Sequence, residues 1–362
     1  MSKRFIITII TILTIMISAG IVIMLAKGYT FSPKEMKVVG TGIMTISSEP
    51  DAASVFLDGH LTTATNATVS SLAPKSYSVK VVKEGFIPWE KLVEVKEGLV
   101  TDLKVTLFPA IPTIYPLTFN GIVNPLLSQD GSKLAFIVPK GKKAGVWVWT
   151  QTRNQPIAFA RTAEPHQIAN STVADFSSAN LRWSPDSKQV LATVDQNNYL
   201  LNADSLNTNP RDITPILAAT LNEWEEDIKQ TQQSRILTIG DAKFRKIASD
   251  SALLRWAPDE TKFMASDQNT KMKIYDLEER KEYSLPEAKA YLWLPDSRHV
   301  ILVEEGDIAL VDFDGTNKAI IYAGKFEDSF VFPWPDSSRL AIISSFPTPT
   351  ASEPNLYGIN LR

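Results

Sequence analysis

Five copies of a short motif lie in the later part of this 362-residue sequence, and they constrain its fold more than any other feature. Each copy has an apolar approach, a turn containing an aspartate and an apolar β run, and the aspartates are Asp130, Asp186, Asp259, Asp296 and Asp336. The last two intervals between them are 37 and 40 residues, the length of one four-stranded sheet with its turns. Repeated sheets bury their faces on one another, so residues 110–362 are expected to form an all-β domain.

The residues beside each aspartate have separate structural roles. A proline before the aspartate sets the backbone φ of the turn, and the carboxylate accepts backbone N–H bonds within it. A tryptophan two or three residues earlier can bury a large apolar area between neighbouring sheets. These tryptophans are Trp183, Trp256, Trp293 and Trp334. The first copy departs from the pattern, because Leu127 and Gln129 stand in the tryptophan and proline positions.

The motif resembles the W-S-P-D-G repeat of TolB-like β-propellers, over roughly residues 115–362. The resemblance implies a ring of four-stranded blades. Five blades are recognisable, and a sixth, degenerate blade inside the 73-residue interval between Asp186 and Asp259 is the alternative. Only 26 residues follow Asp336, too few for a complete blade, so a strand at Thr113–Phe119 is expected to complete the last blade. Such a closure removes the exposed edge of an open ring.

The 73-residue interval has a helical pattern between residues 214 and 249. Thr214 and Pro215 suit a helix start, and apolar residues follow at helical spacing. The stripe consists of Leu217, Leu221, Trp224 and Ile228. Two interpretations stay open for it: packing against the propeller rim, or docking of a partner on Trp224, Leu221 and Ile228.

Residues 42–109 show short alternating strands separated by turn signals, which predict a small antiparallel β-sandwich. Their motifs are Ser48-Glu49-Pro50-Asp51-Ala52-Ala53, Val55-Phe56-Leu57-Asp58-Gly59, Leu72-Ala73-Pro74-Lys75-Ser76-Tyr77 and Gly85-Phe86. This order resembles a PEGA domain, which implies a module associated with the surface layer or the cell wall. Asn66 and Lys75 depart from the family pattern at two turns.

Residues 5–26 form an uncharged apolar run, long enough as a helix to cross a bilayer. Lys3 and Arg4 precede it and favour a cytoplasmic amino terminus. Residues 1–27 are therefore predicted to be a cytoplasmic tip and an uncleaved transmembrane signal anchor, followed by a stalk at 28–41. A cleaved signal peptide is the alternative. In both cases the bulk of the chain is extracytoplasmic.

The sequence predicts no catalytic site, no cofactor site and no metal site. It has no cysteine, and its three histidines, His60, His166 and His299, have no second histidine at metal-ligand spacing. Asp312-Phe313-Asp314-Gly315 lacks the acidic ligand that ends a calcium loop, which favours a hairpin turn. With 37 basic and 40 acidic residues, the chain has no basic excess, so a nucleic-acid partner is not expected.

These features predict a membrane-anchored envelope protein whose propeller is a non-catalytic binding platform. The expected partners are the lipid bilayer through residues 5–26 and envelope proteins or cell-wall polymers through the propeller. The central funnel, where blade loops converge, is the candidate site by analogy of fold. Two alternatives stay open: a propeller-based hydrolase acting on envelope peptides or glycans, and a structural component of a surface layer.

Overall fold

The computed structural model describes residues 3–26, 29–32, 37–151, 164–266, 271–327, 330–346 and 353–362. The chain forms two compact units, one of residues 1–111 with Arg362 and one of residues 112–361. Both units consist mainly of strands, and the first begins with a long helix.

The first helix, α1 (Lys3–Ala26), has the length and composition of a membrane span over Ile7–Met24. Its interior hydroxyl groups bond back to the helix, since Thr11 donates to the carbonyl of Ile7 at 2.9 Å and Thr14 to that of Ile10 at 2.8 Å. These bonds satisfy polar groups that would otherwise be costly in a hydrocarbon environment. A hairpin of β1 (Tyr29–Ser32) and β2 (Lys37–Gly40) follows.

Seven strands then form a two-sheet sandwich. They are β3 (Gly42–Glu49), β4 (Ser54–Leu57), β5 (His60–Ala64), β6 (Ala67–Leu72), β7 (Ser76–Val82), β8 (Trp89–Glu94) and β9 (Val100–Thr106). The sheet orders are β6-β3-β9 and β5-β4-β7-β8. The core lies between them, with Val55, Val79 and Val81 fully buried.

One pair differs from the antiparallel sandwich expected from the sequence, because β9 runs parallel to β3. The chain passes from the second sheet back to the first after β8, and β9 then takes the open edge of β3 in the same direction. The Asp58-Gly59 turn has positive φ at both residues (49° and 82°), as a tight hairpin requires.

The second unit is a β-propeller, in which the described residues form five four-stranded antiparallel sheets. Blade 1 contains β11 (Val123–Leu127), β12 (Lys133–Val138), β13 (Gly145–Thr150) and β14 (His166–Asn170). Blade 2 contains β15 (Asn180–Trp183), β16 (Gln189–Val194), β17 (Asn197–Asn202) and β18 (Arg211–Asp212). Blade 3 contains β19 (Arg255–Trp256), β20 (Lys262–Ser266), β21 (Met272–Asp276) and β22 (Lys281–Ser284).

Blade 4 contains β23 (Ala290–Trp293), β24 (His299–Val303), β25 (Asp307–Asp312) and β26 (Ala319–Ala323). Blade 5 is not contiguous in sequence, since it combines β27 (Val331–Pro333), β28 (Arg339–Ser344) and β29 (Asn355–Asn360) with β10 (Ile114–Pro116). This confirms the closing strand expected between Thr113 and Phe119.

Several contacts hold the closing strand in blade 5. Ile114, Tyr115 and Pro116 pair with β29, and the Tyr115 ring lies against Gly358. Arg339 of β28 donates a hydrogen bond to the Tyr115 hydroxyl at 2.8 Å. The strand therefore depends on side-chain contacts as well as on its short backbone ladder.

Neighbouring blades bury apolar side chains against each other. Blade 1 contacts blade 2 through residues such as Ile137 and Val190, and on its other face it contacts blade 5, where the rings of Trp149 and Trp334 meet edge to face at 5.2 Å. Blades 3 and 4 share a third cluster, with Met264 and Val300 fully buried. Removal of these faces from water supplies the main stabilisation of such a ring.

Two helices lie where blades 2 and 3 would otherwise meet. α2 (Leu217–Thr238) follows a short 3-10 turn at Thr214–Ile216, and α3 (Ala242–Asp250) begins at the side-chain cap of Asp241. Trp224 of α2 packs on blade 2, whereas Phe244 of α3 packs on blade 3. Within the described residues 187–258 the interval therefore holds the rest of blade 2 and these helices, not a further sheet.

The contact between Tyr115 and Gly358 makes closure testable. A Cβ at position 358 would lie 2.6 Å from the Tyr115 ring, so Gly358→Ala is expected to displace the closing strand and destabilise the propeller by about 1–3 kcal/mol. Gly240→Ala is the matched control, because a Cβ there meets no atom within 4 Å. Thermal unfolding followed by circular dichroism measures both, and equal melting temperatures would contradict the closure role.

Candidate functional site

Each aspartate of the repeated motif organises its own turn. In blade 2 the Ser184 hydroxyl donates to Asp186 Oδ1 at 2.6 Å, and the Lys188 amide donates to the same oxygen at 3.1 Å. The hydrogen bond from Ser184 is the main reason that the pKa of Asp186 lies below its ordinary value. The carboxylates thus act within the turns.

The residue after each aspartate lies in the left-handed region of backbone space. The residues and their φ values are Gly131 (69°), Ser187 (59°), Glu260 (61°), Ser297 (58°) and Ser337 (58°). Glycine adopts this conformation without strain, whereas a side chain there costs about 1 kcal/mol or more. A compensating interaction is therefore expected where serine is present.

At Ser187 and Ser297 the compensation is a hydrogen bond between neighbouring blades. The Ser187 hydroxyl accepts from the Asp130 amide at 3.3 Å, and the Ser297 hydroxyl accepts from the Asp259 amide at 3.0 Å. Two motif tryptophans make a second bond of the same kind, since Trp183 Nε1 donates to the Leu126 carbonyl at 2.9 Å and Trp293 Nε1 to that of Arg255 at 3.1 Å. The motif turns of blades 2 and 4 are thus fastened to the preceding blade.

At the junction of blades 2 and 3, helix α2 replaces both contacts. Trp256 Nε1 donates to the Gln232 side chain at 3.1 Å, and Arg235 Nε lies 2.9 Å from a Glu260 carboxylate oxygen. Gln232 and Arg235 are both on α2. The insertion is therefore fastened to blade 3 by the positions that elsewhere join one blade to the next.

The motif turns surround a cavity of about 700 Å³. Its walls come from blades 1, 3, 4 and 5 and from α2, and they combine two tryptophans, several prolines and a few polar groups. The lining includes Gln129, Arg235, Arg255, Trp256, Glu260 and Trp293. A cavity of this size with a largely apolar wall and a few polar groups suits a small ligand or a polymer segment.

Most charges in this cavity are already compensated. Arg235 pairs with Glu260, and the Asp130 carboxylate accepts from Ser128 at 2.6 Å and from the Ser132 amide at 3.0 Å. Burial raises the pKa of Asp130, but these hydrogen bonds outweigh it and hold that pKa below its ordinary value. Arg255 donates to the Tyr291 carbonyl at 2.6 Å and carries the charge that no carboxylate of the described residues neutralises.

The helical stripe of α2 packs on blade 2. Trp224 is buried against Leu191 and Ile213 of blade 2, and Leu221 packs beside it. Ile228 is half-buried. The indole ring is thus part of the packing between α2 and blade 2, and docking of a partner on Trp224, Leu221 and Ile228 stays a prediction.

The three histidines lie apart. His60 is exposed in the sandwich, whereas His166 Nε2 lies 3.0 Å from the Ala203 carbonyl oxygen in the propeller. His299 is buried in blade 4, with Nδ1 2.5 Å from Asp296 and Nε2 3.4 Å from Asp312. Within the described residues no group of acidic and histidine side chains is arranged to hold a metal ion.

Asp312 is the last residue of β25 and precedes the turn to β26, where the Gly315 amide donates to its carbonyl at 2.8 Å. No local sequence pattern indicated that His299 would meet two aspartates, because Asp312 comes from the next strand. The register of β24 and β25 places His299 and Asp312 opposite each other.

Comparisons with known proteins agree with the first unit and are weak for the second. Residues 41–111 match the family model of the PEGA domain. No curated protein matches the chain. Solved structures with similarity include a putative TolB from Agrobacterium tumefaciens, with 16% identity over 64% of this chain and 76% of that one and a TM-score of 0.24.

Two further structures have the same level of similarity. TolB from Acinetobacter baumannii is 12% identical over 79% of this chain and 60% of that one, with a TM-score of 0.26. An oligogalacturonate lyase in complex with manganese is 11% identical over 88% of each chain, with a TM-score of 0.24. These scores are too low to carry an argument, so the description of the propeller rests on its own sheet topology.

The hydrogen bond between the Ser187 hydroxyl and the Asp130 amide predicts the order of stability of two variants. Ser187→Ala removes the hydrogen bond and keeps the unfavourable φ, so we expect a loss of about 1 kcal/mol. Ser187→Gly removes the same bond but relieves the backbone strain, so its stability is expected near that of the wild type. Urea unfolding measures both, and a glycine variant less stable than the alanine variant would contradict this interpretation.

The pair of aspartates around His299 predicts a pH dependence of stability. Burial alone lowers the pKa of His299, but hydrogen bonds to Asp296 and Asp312 outweigh it and raise that pKa to about 9. The folded pKa exceeds the unfolded one, so the stabilisation is complete below pH 6.5 and is lost as pH rises through about 9. The loss is on the order of 3 kcal/mol.

Urea unfolding followed by tryptophan fluorescence across this window tests the prediction. His299→Gln is expected to be less stable than the wild type at neutral pH and to lose most of the pH dependence. His60→Gln, in the exposed position of the other unit, is expected to keep the wild-type slope. A wild-type protein with constant stability from pH 6.5 to 9 would refute the charged state of His299.

Proposed function

We propose that this protein is a membrane-anchored, extracytoplasmic binding protein of the cell envelope, in which the central cavity of the propeller holds an envelope protein or a cell-wall polymer. The observation that carries the proposal is the cavity itself. The motif turns of four blades meet around it and present two tryptophans and one uncompensated arginine, Arg255.

Two features of the first unit support the location. The α1 helix has an apolar span over Ile7–Met24. Residues 41–111 match the PEGA domain, a module associated with the cell envelope. We propose the boundaries 1–27 for the anchor, 28–41 for the stalk, 42–109 for the sandwich and 110–362 for the propeller, with the insertion at 214–249. Lys3 and Arg4 favour the cytoplasmic side for the amino terminus.

Binding is proposed in preference to catalysis because the polar groups of the cavity serve other partners. Glu260 pairs with Arg235, and Asp130 is held by its turn, so neither carboxylate is placed as a free acid or base opposite another. A hydrolase would need two such groups, or a nucleophile with a base, around one reacting bond. The arrangement instead offers aromatic surface and one cationic anchor.

A photo-crosslinking experiment in intact cells tests the binding site. A benzophenone side chain replaces exposed Gln129 at the cavity, and the matched control carries it at Glu226 on the outward side of α2. We expect the Gln129 probe to capture a defined envelope component, which Arg255→Ala removes without loss of folded protein. Equal captured products from both positions would contradict the cavity as the binding site.

The proposed topology has its own test. Protease added to intact spheroplasts is expected to degrade the propeller and leave a small membrane-bound fragment that contains α1. Protection of the propeller, with digestion only after lysis, would place it in the cytoplasm and remove the basis of the proposal.

A further inference from the structure

The insertion that fills the gap between blades 2 and 3 also creates a second concave surface. A groove of about 660 Å³ runs between α2 and the outer part of blade 2, and we call it the α2 groove. Its apolar surface comes from half-buried Leu200 and exposed Ile216, beside the edge of Trp224. This site is separate from the central cavity, because the residues that line the two do not overlap.

The groove has an acidic wall. Glu223 and Asp227, both exposed, line it from successive turns of α2, and Asp186 lines it from the motif turn of blade 2. Among the described residues, Arg211 is the one basic residue that lines it. The formal charge of the lining is therefore negative, and a cationic occupant is favoured by charge complementarity.

The positions of Glu223 and Asp227 lower the stability of α2. Residues four apart lie side by side on a helix, and like charges at that spacing destabilise it. Other acidic residues of α2 have partners, since Glu225 lies 3.6 Å from Arg182 and Glu226 accepts from Gln230 at 3.3 Å. Among the described residues no cation is within ion-pair distance of Glu223 or Asp227, although Arg211 lines the same groove.

We propose that the α2 groove binds a basic segment of another protein, in which lysine or arginine side chains alternate with apolar ones. The cationic groups would meet Glu223 and Asp227, and the apolar side chains would cover Leu200 and Ile216. An unpaired carboxylate pair above an apolar floor matches this alternation better than it matches an inorganic cation, which needs no apolar surface. The inference is independent of what the central cavity binds.

Fluorescence anisotropy with the purified full-length protein in detergent tests the proposal. The probe is a fluorescein-labelled peptide of alternating lysine and leucine, and the control peptide has glutamate in place of lysine. We expect the basic peptide to bind with a salt-dependent Kd, and the double variant Glu223→Gln, Asp227→Asn to weaken that binding about tenfold. The acidic peptide is expected not to bind.

Matched variants make the result specific to the groove. Glu226→Gln removes a carboxylate of the same helix outside the groove and is expected to leave the Kd unchanged. Arg211→Gln removes the one opposing charge and is expected to tighten binding. The double variant is expected to melt at the same or a higher temperature than the wild type, because the repulsion within α2 is removed.

Three results would overturn the proposal. The first is a Kd that the double variant and Glu226→Gln change equally, which would indicate non-specific charge attraction. The second is a concentration-dependent dimer in analytical ultracentrifugation that the double variant abolishes, which would assign the groove to a second copy of this chain. The third is magnesium binding in calorimetry that the double variant abolishes and that displaces the peptide at constant ionic strength.

Discussion

The propeller depends on one constraint: every blade must have both of its apolar faces covered. The cores of blades 1, 3 and 4 contain side chains that are fully buried only because a neighbouring sheet lies against them. Blade 5 meets this condition by using a strand from the start of the unit, β10, so that the last sheet is completed by the first segment of the chain. Without that strand, β29 would expose an unpaired edge.

The same constraint explains the helical insertion. Between blades 2 and 3 the covering surface is helical, with Trp224 on one side and Phe244 on the other. To cover both blades, the insertion needs apolar residues that face in two directions. The two helices share this task, since α2 packs on blade 2 and α3 packs on blade 3. The surfaces of a helix and a sheet differ in shape, so the two do not fit together over their whole length. The α2 groove is the space left between α2 and blade 2 beside Trp224.

Stability and the candidate binding site come from the same turns. The aspartates shape the turns, and the residues that follow them join one blade to the next. Those turns then line the central cavity with prolines and aromatic rings whose positions are already held by the ring. A ligand at this site therefore meets a preformed surface, which reduces the entropy lost on binding.

The repeat spacing and the strand patterns were enough to predict the blades, the closing strand and the helical insertion, because these follow from local periodicity and turn chemistry. The PEGA-like sandwich was predicted in the same way. The parallel pairing of β9 with β3 was not, since pairing between distant strands is decided by which sheet edge the returning chain reaches. The serine bonds between blades leave a faint sequence signal: serine at a position where the repeat usually has glycine.

By itself, the sequence determined the order of the parts: an apolar helix, a small sandwich and a repeated β unit with an insertion, because each is encoded in neighbouring residues. Only the tertiary structure decided that His299 lies between Asp296 and Asp312, that Arg255 is the cavity charge without a carboxylate, and that Glu223 and Asp227 face a groove. These facts depend on distances across paired strands and between packed elements. Such distances follow from packing and register, which no local pattern specifies.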